Sequence, residues 1–491
     1  MTKASLKKVL DSILDFEKLK YCYECGICTA SCPVAELLPE NYNPRILLHS
    51  LPLADDKLLN SAQLWLCAWC YRCHKRCPQG LKLPEIFQAV RRFAAESGHI
   101  EGFDKALEII REKLPLPASC CYVCFHPERA IDNKQLVTNS IQHIILDYES
   151  EEPKEKPLNP MHGEKVAIIG SGPAGLSAAQ DLAKRGYSVT IFEALSLPGG
   201  MLRKCIPEHR LSKKIVASDI KRITDLGVKI KTNTAIGESL NIKQLLEQGY
   251  SAIFVATGAH EERKLGIEGE QLNGVFHALD FLEKANDKEA EVSDTVSIIG
   301  GGNVAVDSAE TASRLGAKEV TILYRRSRAE IPASPWEIKE AEEEGVKIEF
   351  LVSPKRILGE NGKVNTIECI RMELSEADET GRRRPVPIQG SEFVIKTGTV
   401  IVAIGQSPNT GFLPETVEIT EKRTIASDPF TLETSSSGIF AGGDAVSGPA
   451  TLMKAIIAGK RAAISIHLYL RGVSLEPRVV EKVLGSVNGS F

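Results

Sequence analysis

Eight cysteines stand out by spacing before anything else in the chain does. Cys22, Cys25, Cys28 and Cys32 lie in YCYECGICTASCP, and Cys67, Cys70, Cys73 and Cys77 lie in WLCAWCYRCHKRCP; each run ends in a proline, Pro33 and Pro78. The pattern C-x2-C-x2-C-x3-C-P therefore occurs twice. Three thiolates so close together can take three iron corners of one cubane, and the fourth, turned away before a proline, ligates the other cluster in two-cluster ferredoxins. The predicted wiring is crossed: Cys22, Cys25, Cys28 and Cys77 hold one [4Fe–4S] cluster, and Cys67, Cys70, Cys73 and Cys32 hold the second. Structural zinc is the alternative, but zinc sites pair two cysteines with a well-separated second pair and gain nothing from a third cysteine or from the proline.

Two glycine-rich stretches carry the next chemistry. VAIIGSGPAGLSAA sets Gly170, Gly172, Pro173, Ala174 and Gly175 between a strand and a helix, and Glu193 ends the following strand. In a G-x-G-x-x-G turn the first glycine allows the bend, the second lets a pyrophosphate approach the helix N-terminus, the third permits close helix–strand packing, and the acid accepts from ribose hydroxyls. VSIIGGGNVAVDSA repeats the motif with Gly300, Gly302, Asn303, Val304 and Ala305. There Tyr324 stands in place of the acid, followed by Arg325, Arg326 and Arg328. Loss of the carboxylate and gain of guanidinium forks predict a 2′-phosphate, hence NADP(H) over NAD(H), the alternative being a solvated basic turn.

The elements that position these residues follow from texture. Eleven of the thirteen cysteines fall between residues 22 and 124, so the N-terminal quarter is a chemical unit of its own, and DYESEEPKEKPLNPMHGEK (147–165) reads as a linker. Beyond it, short β-rich runs alternate with helical patterns in the rhythm of parallel sheets covered by helices. The predicted fold is α/β: an α-helical ferredoxin-like domain over 1–150 followed by two Rossmann-like dinucleotide-binding domains. With 60 Lys and Arg against 64 Asp and Glu, the net charge of −4 points to neither nucleic acid nor an anionic membrane. No run approaches a membrane span, and the opening MTKASLKKVLDSILDFEKL reads as an amphipathic helix, so the expected compartment is the cytoplasm, where thiols stay reduced.

GIFAGGDAVSGPATLMKAIIAGKRAA resembles the closing motif of the two-dinucleotide-domain flavoprotein reductases. That resemblance implies Gly443 and Asp444 at the flavin's ribityl chain and makes the first glycine motif the FAD site, so that the FAD-binding domain comes in two pieces, 163–290 and 405–491, around an NADP(H)-binding domain over 291–404; it assigns ATG (Thr257, Gly258) and AIGQSPN to strand ends of the same superfamily. Through PLPASCCYVC, GSGPAGL, PGGMLRKCIPEHRL (with Gly200), GGGNVAVD, YRRSRAEIPA and GQSPN, residues 110 to 470 further resemble the glutamate synthase small subunit and its relatives, which couple NADPH, FAD and iron–sulfur clusters. The chain departs from that pattern with Cys205 where a glycine is usual, HRLSK for FRLPK, and Glu128 and Asp132 at later cysteine positions. Its N-terminal region, with YNPR, is similar to the two-cluster, ferredoxin-like subunit of heterodisulfide reductase.

Cys120, Cys121 and Cys124, with Glu128, offer either a third cluster or a cysteine remnant in a packed loop. Cys205 has no partner cysteine for a dithiol relay and reads as a buried structural thiol; His126, His209 and Trp336 read as packing or surface. The function expected is electron transfer between NADP(H), FAD and two [4Fe–4S] clusters, without a side-chain acid or base, to or from other redox subunits or ferredoxin. A bifurcating transhydrogenase or heterodisulfide-reductase-like complex is the expected setting. A glutamate synthase small subunit and a non-catalytic redox-sensing scaffold are the alternatives.

Overall fold

The computed structural model describes residues 3–14, 16–19, 22–53, 56–125, 162–238, 240–377, 383–476 and 480. The expected linker, His126, Glu128 and Asp132 therefore lie outside the described residues but for the last few positions of the linker. Strands are numbered β1–β15 in chain order. The first sheet holds β1 (Lys165–Ile169), β2 (Ser188–Phe192), β3 (Lys229–Lys231), β4 (Tyr250–Val255) and β15 (Ile439–Ala441), all parallel, in the order β15-β4-β1-β2-β3. After its first residue β1 is buried throughout, as a continuous apolar run must be when helices cover both faces of a parallel sheet. The chain reverses its strand order between β1 and β4, and the glycine turn 170–172 leaves β1 there, at the switch point where α/β sheets take ligands.

The second unit repeats the device. It contains β5 (Glu261–Glu262), β6 (Val275–His277), β7 (Thr295–Ile299), β8 (Glu319–Tyr324), β9 (Lys347–Phe350), β13 (Thr399–Val402) and β14 (Gln406–Ser407). Its parallel sheet runs β6-β13-β7-β8-β9. Between β9 and β13 the chain builds an antiparallel sheet from β10 (Val352–Glu360), β11 (Lys363–Ala377) and β12 (Arg383–Lys396).

The compact units differ from the expected boundaries in two places. Residues 260–290, together with 204–209, group with the second unit, where β6 pairs with β13 and Asn286 Nδ2 donates to Lys204 O (2.9 Å). The cysteine-rich region groups with the first sheet's unit, which comprises 1–203, 210–259 and 408–491. Two contacts explain the second difference. Asp219, on the helix Lys213–Asp225, is buried and accepts from Ala118 N (3.3 Å) and Ser119 N (2.8 Å) in the first turn of the helix Pro117–Cys120. The C-terminal helix Leu452–Leu470 sends Arg461 to Glu36 (2.8 Å), on the helix Pro33–Leu37 that Cys32 caps. That same C-terminal helix lies against the helix Pro173–Lys184: a side chain at Gly459 would come within 2.2 Å of Ala174 O.

Burial raises the Asp219 carboxyl to about 6, against the backbone hydrogen bonds that oppose it. Since the unfolded chain ionises at lower pH than the folded one, this group disfavours folding increasingly as pH rises from about 4 to about 6, and not below that window. Asp219→Ala leaves two buried N–H groups unpaired, each worth about 1–3 kcal/mol, and is expected to lower the unfolding midpoint of the intact chain. Asp219→Asn keeps one acceptor, should cost less, and should flatten the stability profile between pH 4 and 6 in denaturant melts.

Candidate redox sites

The two cysteine runs fold as short helical turns, and the sulfurs divide between two sites. A solvent-connected pocket is lined by Cys22, Cys25 and Cys28 from the first run and Cys77 from the second, with Leu48 and Leu83 among its walls. Burial raises the Cys22 thiol, and Cys77, Cys28 and Cys25 beside it raise it further. Leu81 N donates to Cys77 Sγ (3.4 Å), and Cys25 is exposed. In the other site burial pushes Cys32 up to about 12, with Cys67 and Cys70 adding to the shift. Cys73 is raised by burial and then by Cys67, Cys70 and Cys32. Each set thus joins three cysteines of one run to the last cysteine of the other.

These surroundings fit cubane clusters. Like-charged sulfurs in a desolvated site resist ionisation, and iron reverses that balance by ligating the thiolates. Among the described residues no three His, Cys, Asp or Glu side chains converge on a single metal ion; a cubane gives each thiolate its own iron and so keeps its ligands further apart. Trp65 and Trp69 flank Cys67, and both indole N–H groups are buried with no protein acceptor. Trp69 and Tyr71, either side of Cys70, hold left-handed backbone (φ 45° and 54°), a conformation that costs a residue with a side chain about 1–2 kcal/mol.

The YNPR segment links the two sets, a role its sequence did not reveal. Asn43 caps the helix Pro44–Ser50, accepting from Arg45 N (3.1 Å) and Ile46 N (3.2 Å), and also accepts from Thr29 Oγ1 (2.9 Å) beside Cys28. Arg45 reaches the Gly26 turn, while Tyr42 is buried, with Cys67 and Cys32 among its electrostatic neighbours.

Cys120, Cys121 and Cys124 are buried, with Cys120 hydrogen-bonded to Cys124 and Cys124 an electrostatic neighbour of Cys70. Cys205 is buried, with its Sγ 4.0 Å from Leu279 O. His209 lies 3.6 Å from Glu310.

At the first glycine turn the predicted residues converge. Gly170 has φ 103°, and a side chain there would meet Ala256 O at 2.5 Å. Thr257 follows, its Oγ1 buried without a partner, and then Gly258. A side chain at Gly200 would strike Gly172 (2.9 Å), and one at Gly443 would meet Ala174 (3.0 Å). Gly175 packs on Gly170 O. By contrast, a Cβ at Gly172 would meet nothing within 4 Å, leaving open the cradle beside Pro173 at the helix N-terminus. Glu193 is buried, accepting from Ser171 N (2.9 Å), Ser171 Oγ and Leu195 N (2.9 Å), so it braces the turn as well as ending β2. Burial raises Asp444 to about 6. Lys454, in the first turn of the C-terminal helix, is lowered by burial and then by Arg72 and Arg76 of the second cysteine run, against Asp444 and Cys70. The cysteine region therefore meets the first sheet's ligand end at this helix.

The second turn has the same form. A side chain at Gly300 would reach Ala403 O at 2.2 Å, while Gly302 is open. The helix Asn303–Arg314 begins there, carrying Val304 and the buried Ala305, and Asn303 Nδ2 donates to Glu337 Oε1 (3.2 Å). The three arginines part company. Arg325 is exposed; Arg326 is buried and donates to Arg383 O (3.2 Å); Arg328 pairs with Glu342 and lies over the Phe350 ring. No helix among the described residues is long and apolar enough to cross a membrane.

Residues 164–459 match the pyridine nucleotide-disulphide oxidoreductase family, and residues 18–81 match a 4Fe-4S dicluster domain. The chain belongs to the pyridine nucleotide-disulphide oxidoreductase family. It is an FAD-dependent NADPH oxidoreductase whose cofactors include two [4Fe–4S] clusters. It is 40% identical over 446 residues to the NADP(+)-dependent formate dehydrogenase subunit beta of Moorella thermoacetica, covering 84% of this chain and 61% of that one. It is 35% identical to the NADPH-Fe(3+) oxidoreductase subunit beta of Geobacter sulfurreducens (97% and 75%) and 33% identical to the glutamate synthase [NADPH] small chain of Escherichia coli (82% and 88%). The chain thus spans about three fifths of the formate dehydrogenase subunit's length. In fold it is similar to FprA from Mycobacterium tuberculosis, with a TM-score of 0.56 at 20% identity over 67% of this chain and 91% of that one.

Crossed ligation is tested by serine substitution in the full chain. Cys32→Ser should abolish the same reduced-cluster EPR signal as Cys73→Ser, and Cys77→Ser the same one as Cys28→Ser, each with loss of about half the iron. Pairing by run, with Cys32 and Cys28 affecting one signal, would contradict it.

Proposed function

We propose that this chain passes electrons between NADP(H) and a separate redox subunit, by way of FAD and two N-terminal clusters. The observation that carries the reading is the helix Leu452–Leu470, which follows Asp444 at the first sheet's ligand end and sends Arg461 to Glu36 (2.8 Å) on the helix that Cys32 caps. FAD, when bound, supplies the chemistry, accepting hydride from NADPH and releasing electrons singly to iron.

The chain's own residues then have positioning roles. Gly170, Gly172, Pro173, Ala174 and Gly175 offer the FAD pyrophosphate an open turn at a helix N-terminus; Glu193, Gly200, Thr257, Gly258, Gly443 and Asp444 close around it. Gly300, Gly302, Asn303, Val304 and Ala305 do the same for NADP(H). Of the arginines, Arg325 is exposed directly after β8 and is best placed for a 2′-phosphate, whereas Arg326 is drawn inward and Arg328 lies over Phe350. Cys32, Cys67, Cys70 and Cys73 hold the cluster on the flavin side, and Cys22, Cys25, Cys28 and Cys77 the one in the open pocket, where exposed Cys25 faces a partner. The names of the formate dehydrogenase and Fe(3+) oxidoreductase beta subunits favour a partner that exchanges electrons with a terminal substrate of its own.

Anaerobic titration of the full chain tests the reading. NADPH should bleach the flavin and then develop reduced-cluster EPR signals; an oxidised flavin at excess NADPH would sink it. Arg325→Ala should raise the KM for NADPH about tenfold, as for loss of a charge-assisted hydrogen bond, with NADH unaffected. Arg326→Ala should instead lower thermal stability.

A further inference from the structure

The two largest fully buried side chains among the described residues are Arg91 and Tyr42, and Arg91 donates to the Cys67 carbonyl. Arg91 lies on the helix Leu83–Glu96 and is 1% exposed. Its Nε donates to Leu64 O (2.6 Å) and its Nη2 to Cys67 O (3.0 Å), and its guanidinium lies 5.8 Å from the Trp65 ring centroid. It has no carboxylate partner among the described residues. An isolated buried cation is expensive, and two carbonyl dipoles do not neutralise it. The ionisable groups that face it are Cys67 and Tyr42. A loop clamp alone would be served by a neutral donor; a permanent charge at this depth calls for an anion.

A cubane held by four thiolates is net anionic and becomes more so by one charge on reduction. A fixed cation in a desolvated site therefore favours the reduced state, as does a hydrogen bond to a ligating sulfur. The other set has Arg45 near Gly26, but that residue is half-exposed and its pocket is open, so solvent screens it. We propose that Arg91, assisted by the Tyr42 hydroxyl, raises the reduction potential of the cluster held by Cys32, Cys67, Cys70 and Cys73 and leaves that of the other cluster unchanged. The proposal rests on the cluster assignment above. It makes Arg91 a positioning residue for charge, matched to the cluster on the flavin side.

The test is a mediated redox titration of the full chain, followed by EPR, for wild type, Arg91→Lys, Arg91→Met and Tyr42→Phe. Arg91→Met should shift one midpoint to more negative potential by at least tenfold in the reduced-to-oxidised ratio, ~59 mV for one electron, with the other unmoved. Arg91→Lys should restore most of the shift, Tyr42→Phe should give a smaller shift in the same cluster, and the effect should persist in a Cys77→Ser background. Unshifted midpoints, or equal shifts in both clusters, would overturn the proposal. If Arg91→Met fails to retain its cluster, the near-isosteric Tyr42→Phe decides: a one-cluster shift supports the proposal, and none overturns it. A wild-type chain that holds fewer than two clusters would instead refute the cysteine assignment, and this inference with it.

Discussion

Sulfurs brought together in a partly desolvated site repel one another once ionised, and every other feature of the N-terminal region answers to that constraint. The fourth cysteine of each run lies with the other run: Cys77 lines the pocket of Cys22, Cys25 and Cys28, and Cys32 has Cys67 and Cys70 as electrostatic neighbours. In space the YNPR segment lies between the two runs: its Asn43 accepts from Thr29, and its Tyr42 is buried as an electrostatic neighbour of Cys67. The left-handed backbone at Trp69 and Tyr71 is strain that the wrapping of the second run imposes, and it persists because the surrounding core over-determines it.

The nucleotide units answer to a different constraint, the close approach of backbone to backbone. In both, a positive-φ glycine at the end of the first strand sits against a carbonyl of a neighbouring strand end, Ala256 in one and Ala403 in the other. That contact brings ATG and AIGQ alongside the glycine turns and leaves the glycine two residues on, Gly172 or Gly302, facing open space. The repetition is of a packing solution, and it does not extend to the ribose position. Where Glu193 braces the first turn through Ser171, Tyr324 in the second donates to Glu330 O (2.7 Å) and its ring fills the space against Gly301.

Much of this was legible in the sequence because the chemistry imposes fixed spacings. C-x2-C-x2-C-x3-C-P and G-x-G-x-x-G are local rules, and the discontinuous first unit follows from a closing motif far downstream that must rejoin β4. What the sequence did not disclose depends on contacts between distant segments. The grouping of 260–290 with the second sheet turns on three short pairings of β6 with β13, and a three-residue strand carries too little pattern to reveal its partner. The arginines were read as one group, yet Arg326 is drawn inward to the carbonyl of Arg383 on β12, an interaction no spacing rule anticipates. Asp219 gave no signal at all: an acid on an amphipathic helix that also carries Asp225 looks like surface until Ala118 and Ser119 are found against it.

The same limit applies to Arg91, which sits in LPEIFQAVRRFAAE beside Arg92 and is indistinguishable from it by type. Helical phase separates them: Arg91 falls on the apolar face with Phe87 and Ala94, and Arg92 does not. A basic residue on a buried stripe is a local inconsistency, and such inconsistencies mark places where function overrides packing. Here the override is electrostatic. On the proposed cluster assignment, the desolvation of one guanidinium is offset by the anionic cluster beside Cys67, so that cation and cluster each reduce the cost of burying the other.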